Sequence, residues 1–359
     1  VSHRYLLKQP QNTPTPSLLL YPDLVERNIA SMVSIAGGAT RLRPHIKTHK
    51  CANIIKMMQQ QGINKFKCAT IAEAELLAET GATDIILSYQ PVGPNVARLK
   101  ALVEYFPNIK FATLIDNANT VKELSAQSIT QSLDVYIDLD VGMHRTGVTP
   151  GKALSLLEAI NAQKLNFKGW HVYDGHIRNS DFEERKSVCD TAYQSVEQIL
   201  QQSAVKHVIA GGSPTFPVHA LRPQVELSPG TSVLWDFRYQ EVLPDLPFVP
   251  AAILLTRVIS KPAGDLLCLD LGHKAVASEM AHPRVHLMDL EVVEFTNHSE
   301  EHLVVRTPQA PDFSVGDVLY AVPMHICPTS ALHQEFIVVE QGTITGKWSI
   351  DARDRRINF

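Results

Sequence analysis

From about residue 22 to residue 240, short apolar or β-branched runs alternate with helix-like segments, and this alternation constrains the fold more than any other feature of the chain. The runs are 41–47, 65–70, 84–89, 110–116, 134–140, 167–173, 207–212 and 226–233. Helical patterns occupy 23–36, 71–80, 96–106, 151–160 and the region near 183–202. Eight strands alternating with helices predict a parallel α/β sheet, and eight is the number that closes a (β/α)8 TIM barrel. An open doubly wound sheet needs the same alternation. The barrel is preferred because polar side chains gather at the C-terminal ends of the runs, at Lys47, Thr70, Gln90, Asp116, Arg145, His176 and Ser213. Barrels of this kind hold their sites there.

After about residue 241 the pattern changes. The stretch LPDLPFVP carries three prolines, and six strand-like runs without long helices follow it. The expected organisation is a barrel over 22–240 and a second, C-terminal β domain over 241–359, with residues 1–21 packing on that domain through SLLLY at 17–21. A net charge of −4, with both signs interspersed, gives no footprint for nucleic acid or a membrane surface. The five cysteines, Cys51, Cys68, Cys189, Cys268 and Cys327, are scattered and form no CxxC pair. That usage points to a reducing compartment, and with no signal-like or membrane-length apolar run the expected location is cytoplasmic.

Lys47 lies in RPHIKTHK, at the end of the first run. A strand lysine ordinarily buries its stem and sends its ammonium to solvent. Among Arg41, Arg43, His45 and His49, a desolvated lysine loses its charge more readily and becomes an amine nucleophile, suited to a Schiff base with an aldehyde cofactor. Strand alternation would put residues 41, 43, 45, 47 and 49 on one face while the strand lasts. Two further loops bear on the same idea. GGSPTF at 211–216 and ELSPGTSV at 226–233 follow the last two runs, the positions a barrel reserves for phosphate. Each alone reads as an ordinary turn.

Taken in order, RPHIKTHK, DVGMHRTGV, YDGH, GGSPT, ELSPGT and HICPT resemble the D-threonine aldolase and D-serine dehydratase family, pyridoxal phosphate enzymes with the alanine racemase fold (fold type III). The resemblance runs from about residue 15 to the C-terminus. PHxKTHK and HxCPT are specific; the glycine loops are not. The resemblance implies a pyridoxal 5'-phosphate barrel with a β domain, working as a homodimer on a small D-amino acid. It makes Lys47 the residue that carries the cofactor. It makes Gly212, Ser213, Thr215, Gly230 and Thr231 the phosphate contacts, puts Arg145 near the ring oxygen, and makes Tyr173 the partner of the ring nitrogen or phosphate. Without it, Arg145 reads as a salt-bridged strand-end residue and Tyr173 as packing.

The resemblance also makes His325 and Cys327 the two protein ligands of a divalent metal. An extended His-x-Cys would aim both side chains the same way, and imidazole with thiolate suits zinc first, with manganese or magnesium as alternatives. As a bare pair they read as a buried cysteine beside a surface histidine. Two signals point to different branches. Cysteine at 327 is similar to the dehydratases, whereas His176 in YDGH is similar to the aldolases, in which it would be the general base. The reading is therefore a metal-dependent lyase of D-β-hydroxy amino acids that cleaves them, aldolase-like, to glycine and an aldehyde. A D-serine dehydratase is its nearest rival, and an amino-acid racemase or a non-catalytic cofactor carrier are rivals of other classes. Asp270 and Glu301 read as β-domain turn residues.

Overall fold

The computed structural model describes residues 3–127 and 132–359. Strand β1 (Ser17–Leu20) leads into helix α1 (Pro22–Ala36). Seven parallel strands of the described residues follow: β2 (Lys65–Cys68), β3 (Asp84–Leu87), β4 (Lys110–Ile115), β5 (Leu133–Leu139), β6 (Asn166–Val172), β7 (Val208–Ala210) and β8 (Val225–Leu227). They form one curled sheet in chain order. Helices α2 (Ala52–Gln60), α3 (Ile71–Glu79), α4 (Pro94–Tyr105), α5 (Ala118–Ala126), α6 (Pro150–Ala162), α7 (Phe182–Gln202) and α8 (Phe216–Ala220) connect them. Both faces of a parallel sheet are covered, so its strands read as continuous apolar runs rather than alternating ones. Ile85, Ile86 and Leu87 of β3, all buried, illustrate this.

The first expected strand is different. Residues 41–47 make no continuous strand. Leu42 and His45 form single parallel bridges, to Leu227 of β8 and Lys67 of β2. Arg43 N–H donates to the Leu227 carbonyl at 2.7 Å, and Lys67 N–H donates to that of Pro44 at 2.9 Å. The segment thus fills the place between β8 and β2. Pro44 has no N–H to give, which breaks the ladder, and a 3-10 turn at Ile46–Thr48 follows. Alternation therefore stops before Lys47. Arg43, 2 % exposed, serves the barrel interior, where it pairs with Glu226 and with Asp84 at 2.7 Å. Above these pairs Ile86, Ala112, Leu114, Tyr136 and Ile209 pack together.

Helices α2, α5 and α8 were not apparent in the sequence. In α5 (ANTVKELSA) only Thr120, Val121 and Leu124 are buried, a stripe too thin for periodicity to reveal. Where capping residues exist they set the helix starts. Thr70 Oγ1 accepts the Glu73 N–H at 3.1 Å and opens α3.

A second sheet is built from β1 and from strands after α9 (Phe237–Val242): β9 (Ala252–Ser260), β10 (Leu266–Leu269), β11 (Val285–Leu287), β12 (Glu294–His298), β13 (Leu303–Arg306), β14 (Val318–Pro323), β15 (Glu335–Glu340) and β16 (Thr343–Ser349). Its order is β12-β13-β10-β9-β1-β15-β16, with β14 pairing β9 and β11. Helix α10 (Ile326–Leu332) lies between β14 and β15. Compact units divide the chain into Ile29–Ser232 with Asp354–Phe359, and Val233–Arg353 with the N-terminal stretch ending at Asn28. Among the described residues no helix is long and apolar enough to cross a membrane.

Candidate active site

Lys47 reaches a cavity of ≈ 320 Å³ at the C-terminal ends of the barrel strands. Arg145 and Tyr173 line the same cavity, as do His45, Lys67, Ser88, Gln90, Asp138 and His171. The 3-10 turn that presents Lys47 is fixed by His45, whose Nδ1 accepts the Lys47 N–H at 3.3 Å. The ring proton therefore sits on Nε2, 3.4 Å from Ser88 Oγ. Burial, together with the charges of Lys67 and Lys47, holds His45 uncharged, its pKa far below the usual histidine range. The Arg145 guanidinium stands over the Tyr173 ring, 4.9 Å from its centroid.

The two glycine loops meet behind Tyr173. Ser213 Oγ accepts the N–H of Gly230 at 3.3 Å and that of Ser232 at 3.1 Å, so one hydroxyl pins both loops. Thr215 Oγ1 accepts the Gly212 N–H at 3.1 Å and donates to Asp174 at 2.6 Å. A Cβ at Gly212 would come within 3.1 Å of the Tyr173 ring, and one at Gly230 within 3.2 Å of the His45 carbonyl. Thr231 is buried in the second loop. The Ser232 hydroxyl is buried there without a hydrogen-bond partner among the described residues. A buried orphan hydroxyl beside two glycine loops, with lysines and an arginine in the adjoining cavity, fits a phosphorylated aldehyde.

Asp174 braces this arrangement. Its second carboxylate oxygen lies 2.7 Å from His219 Nε2. Burial would raise its pKa, but His219 and Thr215 more than offset that and keep it ionised. Cys189 comes within ligand reach of the same pair. Its thiol is pushed up by burial and by Asp174, so it stays protonated, and both Asp174 oxygens are already engaged. The trio is a poor metal site on those grounds.

Sequence reasoning missed Lys67. Its ammonium, 2 % exposed, lies 3.2 Å from His171 Nε2, and His171 Nδ1 lies 2.7 Å from Asp138. Thr146 and Gln90 also donate to Asp138, at 2.9 and 3.0 Å. Burial pushes Lys67 down to about 7, with Asp138 opposing and Lys47 reinforcing the shift.

His176 is not among the side chains lining this cavity. It is exposed on the loop after β6, with its ring against Gly142. A Cβ at Gly142, where φ is +118°, would come within 3.0 Å of His176 Nε2.

His325 and Cys327 belong to the other unit, and their segment is not extended. His325 precedes α10, and Cys327 lies in that helix's first turn with Pro328 behind it, a position that favours a helix start. The two side chains are nevertheless hydrogen-bonded. His325 Nδ1 donates to Glu279, which leaves Nε2 as the ligating nitrogen. Burial alone would lower the His325 pKa, but Cys327 and Glu279 more than offset this and raise it to about 9. Asp236 accepts the N–H of Ile326, between the pair, at 3.2 Å. Imidazole and thiol are donors of the kind a zinc-like ion takes, while the Asp236 carboxylate is engaged by the Tyr239 and Ile326 N–H groups. Asp270 is structural: it takes bonds from Thr15, Thr256 and the Arg257 N–H. Glu301 pairs with Lys274 at 3.4 Å.

Comparison with known proteins agrees with this architecture. The family model described as "Alanine racemase, N-terminal domain" matches residues 22–234. The one described as "Putative serine dehydratase domain" matches residues 251–339. A D-threonine aldolase of Arthrobacter sp is 33 % identical, covering 94 % of this chain and 92 % of its own. A D-serine dehydratase of Dictyostelium discoideum is 25 % identical, covering 91 % and 94 %. The crystal structure of a D-threonine aldolase from Filomicrobium marinum superposes with a TM-score of 0.86 at 26 % identity, covering 96 % of each chain.

Proposed function

The chain belongs to the alanine racemase N-terminal domain family, and from that premise we propose that it is a pyridoxal phosphate- and metal-dependent lyase that cleaves D-β-hydroxy amino acids to glycine and an aldehyde. The observation that carries the reading is the single cavity lined by Lys47, Arg145 and Tyr173, in a chain with a D-threonine aldolase relative over nearly its whole length.

When bound, pyridoxal phosphate supplies an aldehyde for the substrate amine and a ring that takes up the electrons of the broken bond, while a divalent ion supplies a Lewis acid for the β-hydroxyl. The rest is the work of side chains. Lys47 supplies the amine that retains the cofactor and gives way to the substrate amine. Gly212, Ser213, Thr215, Gly230 and Thr231 hold the phosphate. Arg145 and Tyr173 fix the ring. His325 and Cys327 hold the ion, zinc in first place. His176 takes the hydroxyl proton as the Cα–Cβ bond breaks. Cytoplasmic residence and a homodimer are part of the proposal; five cysteines, none of them in a disulfide among the described residues, support the first.

A dehydratase is the second reading, and the exposure of His176 outside the Lys47 cavity favours it. In that reaction Lys47 takes the α proton and the hydroxyl leaves, giving a keto acid and ammonia. The test is a product assay on D-threonine, D-serine and D-3-hydroxyaspartate. Glycine with an aldehyde supports the aldolase, and keto acid with ammonia supports the dehydratase. No turnover of any of the three, with pyridoxal phosphate and zinc supplied, defeats both.

A further inference from the structure

Lys67 is a second lysine in the cavity of Lys47, and the proposed reaction leaves it without a role. It is held from two sides. Its backbone N–H donates to the Pro44 carbonyl at 2.9 Å, and its side-chain nitrogen lies 3.2 Å from Nε2 of His171 on β6. His171 Nδ1 lies 2.7 Å from Asp138 on β5. A carboxylate only accepts, so the imidazole proton sits on Nδ1 and Nε2 accepts from Lys67. Burial and the charge of Lys67 hold His171 neutral. Burial would raise the pKa of Asp138, but bonds from His171, Thr146 and Gln90 more than offset it and keep it ionised. The result is a buried chain of carboxylate, imidazole and amine that ends on the cavity. Among the described residues His171 is the one hydrogen-bond partner of the Lys67 side chain, which leaves the rest of the amine to face a guest.

Cleavage to glycine and an aldehyde moves two protons. His176 takes the one on the hydroxyl as the Cα–Cβ bond breaks. The electron pair of that bond stays with the α carbon, which must then gain a proton to become glycine. We propose that Lys67 is the catalytic acid that delivers this proton to the α carbon, held in place by His171 and Asp138. The α carbon is bonded to the nitrogen that takes the place of the Lys47 amine, so it lies in the cavity that Lys67 lines. On delivery the ammonium becomes an amine. It regains a proton from solvent, which receives the one released by the hydroxyl, so no proton is lost or gained overall. Burial pushes Lys67 down to about 7, with Asp138 and Asp174 opposing the shift and Lys47 and Arg43 reinforcing it. An acid of that strength both gives and regains its proton near neutrality. Its neighbours are less suited. Burial holds His45 neutral, and Arg145, over the Tyr173 ring, does not release its proton.

Lys67 has this role only if the lyase reading holds. A group that protonates the α carbon also removes a proton from it, so glycine itself is the probe. The full chain loaded with pyridoxal phosphate is incubated with glycine in D2O, and loss of the glycine α-hydrogen signal is followed by NMR. The parent protein should exchange that hydrogen. Lys67→Met should do so slower by about a hundredfold or more. Lys67→Arg keeps a donor for His171 but cannot release a proton, so it should fail equally. Cofactor absorbance checks that each variant is loaded. A second readout needs no cofactor. In the cofactor-free chain with carbon-13 at the lysine ε position, the Lys67 signal, assigned by its absence from Lys67→Arg, should titrate near 7. It should titrate lower still in Asp138→Asn, which removes the opposing charge. Parent-like exchange in loaded Lys67→Met would assign the proton to Lys47 and overturn the proposal. Rescue by Lys67→Arg would overturn it by reducing Lys67 to a fixed charge, as would a titration at the ordinary lysine value of about 10.4. A loaded parent that leaves glycine unexchanged defeats this role alone, whereas a chain that binds no pyridoxal phosphate defeats the proposed function and this role with it.

Discussion

Asp174 and His219, both almost wholly buried, face each other at 2.7 Å behind the first glycine loop. The same carboxylate accepts the Thr215 hydroxyl at 2.6 Å, and Thr215 in turn accepts the Gly212 N–H. Arg222, which can only donate, lies 3.3 Å from His219 Nδ1, so His219 is the neutral donor and a buried hydrogen-bonded carboxylate sets the shape of a loop assigned to phosphate. Removing that carboxylate leaves the His219 N–H and the Thr215 hydroxyl buried without an acceptor, at a cost of about 1–3 kcal/mol for each unsatisfied group. Asp174→Ala should therefore lower the urea midpoint of unfolding and weaken pyridoxal phosphate retention at least tenfold. Stability lost with full cofactor affinity kept would make the pair a core feature alone.

Gly212 tests the loop from its other side. A Cβ there would meet the Tyr173 ring at 3.1 Å, so a branched side chain must displace either the ring or the loop. Gly212→Val should raise the dissociation constant of pyridoxal phosphate tenfold or more in an absorbance titration. It should also disturb the Arg145 contact with Tyr173. An unaltered titration would reduce GGSPT to a turn.

Metal dependence separates a lyase from a racemase, because racemisation touches only the α carbon and needs no Lewis acid at the β-hydroxyl. Exhaustive chelation should silence cleavage while the cofactor stays bound, since in the proposed reading Lys47 and the loops hold it independently of the metal. His325→Ala should do the same. Cys327→Asp should be milder and shift preference from zinc toward manganese, because carboxylate oxygen is the harder ligand. Glu279→Gln should weaken metal affinity by about 10- to 100-fold, the usual cost of removing a carboxylate that orients a ligating imidazole. Elemental analysis with cleavage assays reads all four. Full activity in metal-free protein would return the His-x-Cys pair to a structural role.

Residues legible in the sequence were those whose meaning lies in a short contiguous stretch. Lys47, the two glycine loops and His-x-Cys each sit in five to eight contiguous residues that also state their own local chemistry. Lys67 gave no such signal. It looks like any lysine in KFKCAT, and its significance comes from His171, 104 positions away. Asp236 and Glu279 act on the His325 segment from 90 and 46 positions away, so no spacing rule could reach them. The barrel was legible because a buried parallel sheet imposes apolar runs on every strand. Its first strand was misjudged because the apolar pattern continued through Pro44, where the hydrogen-bond ladder could not.

His49, two residues beyond Lys47, makes the fold itself sensitive to acid. It is fully buried, its Nδ1 accepts the Cys51 N–H at 3.2 Å, and its Nε2 has no partner among the described residues. Burial pushes its pKa down to about 3, whereas in the unfolded chain a histidine titrates near 6.5. Between those values the unfolded state binds the extra proton and the folded state does not. The contribution of His49 is thus fully present above about pH 6.5 and is lost as pH falls toward 3, at about 1.4 kcal/mol per pH unit. His49→Asn removes the titration and keeps an acceptor, Oδ1, where Nδ1 takes the Cys51 N–H. Urea unfolding at pH 7 and pH 5 should then show a smaller loss in the variant than in the parent protein, by about 2 kcal/mol. Equal losses in both would mean that His49 can take its proton without leaving the folded state.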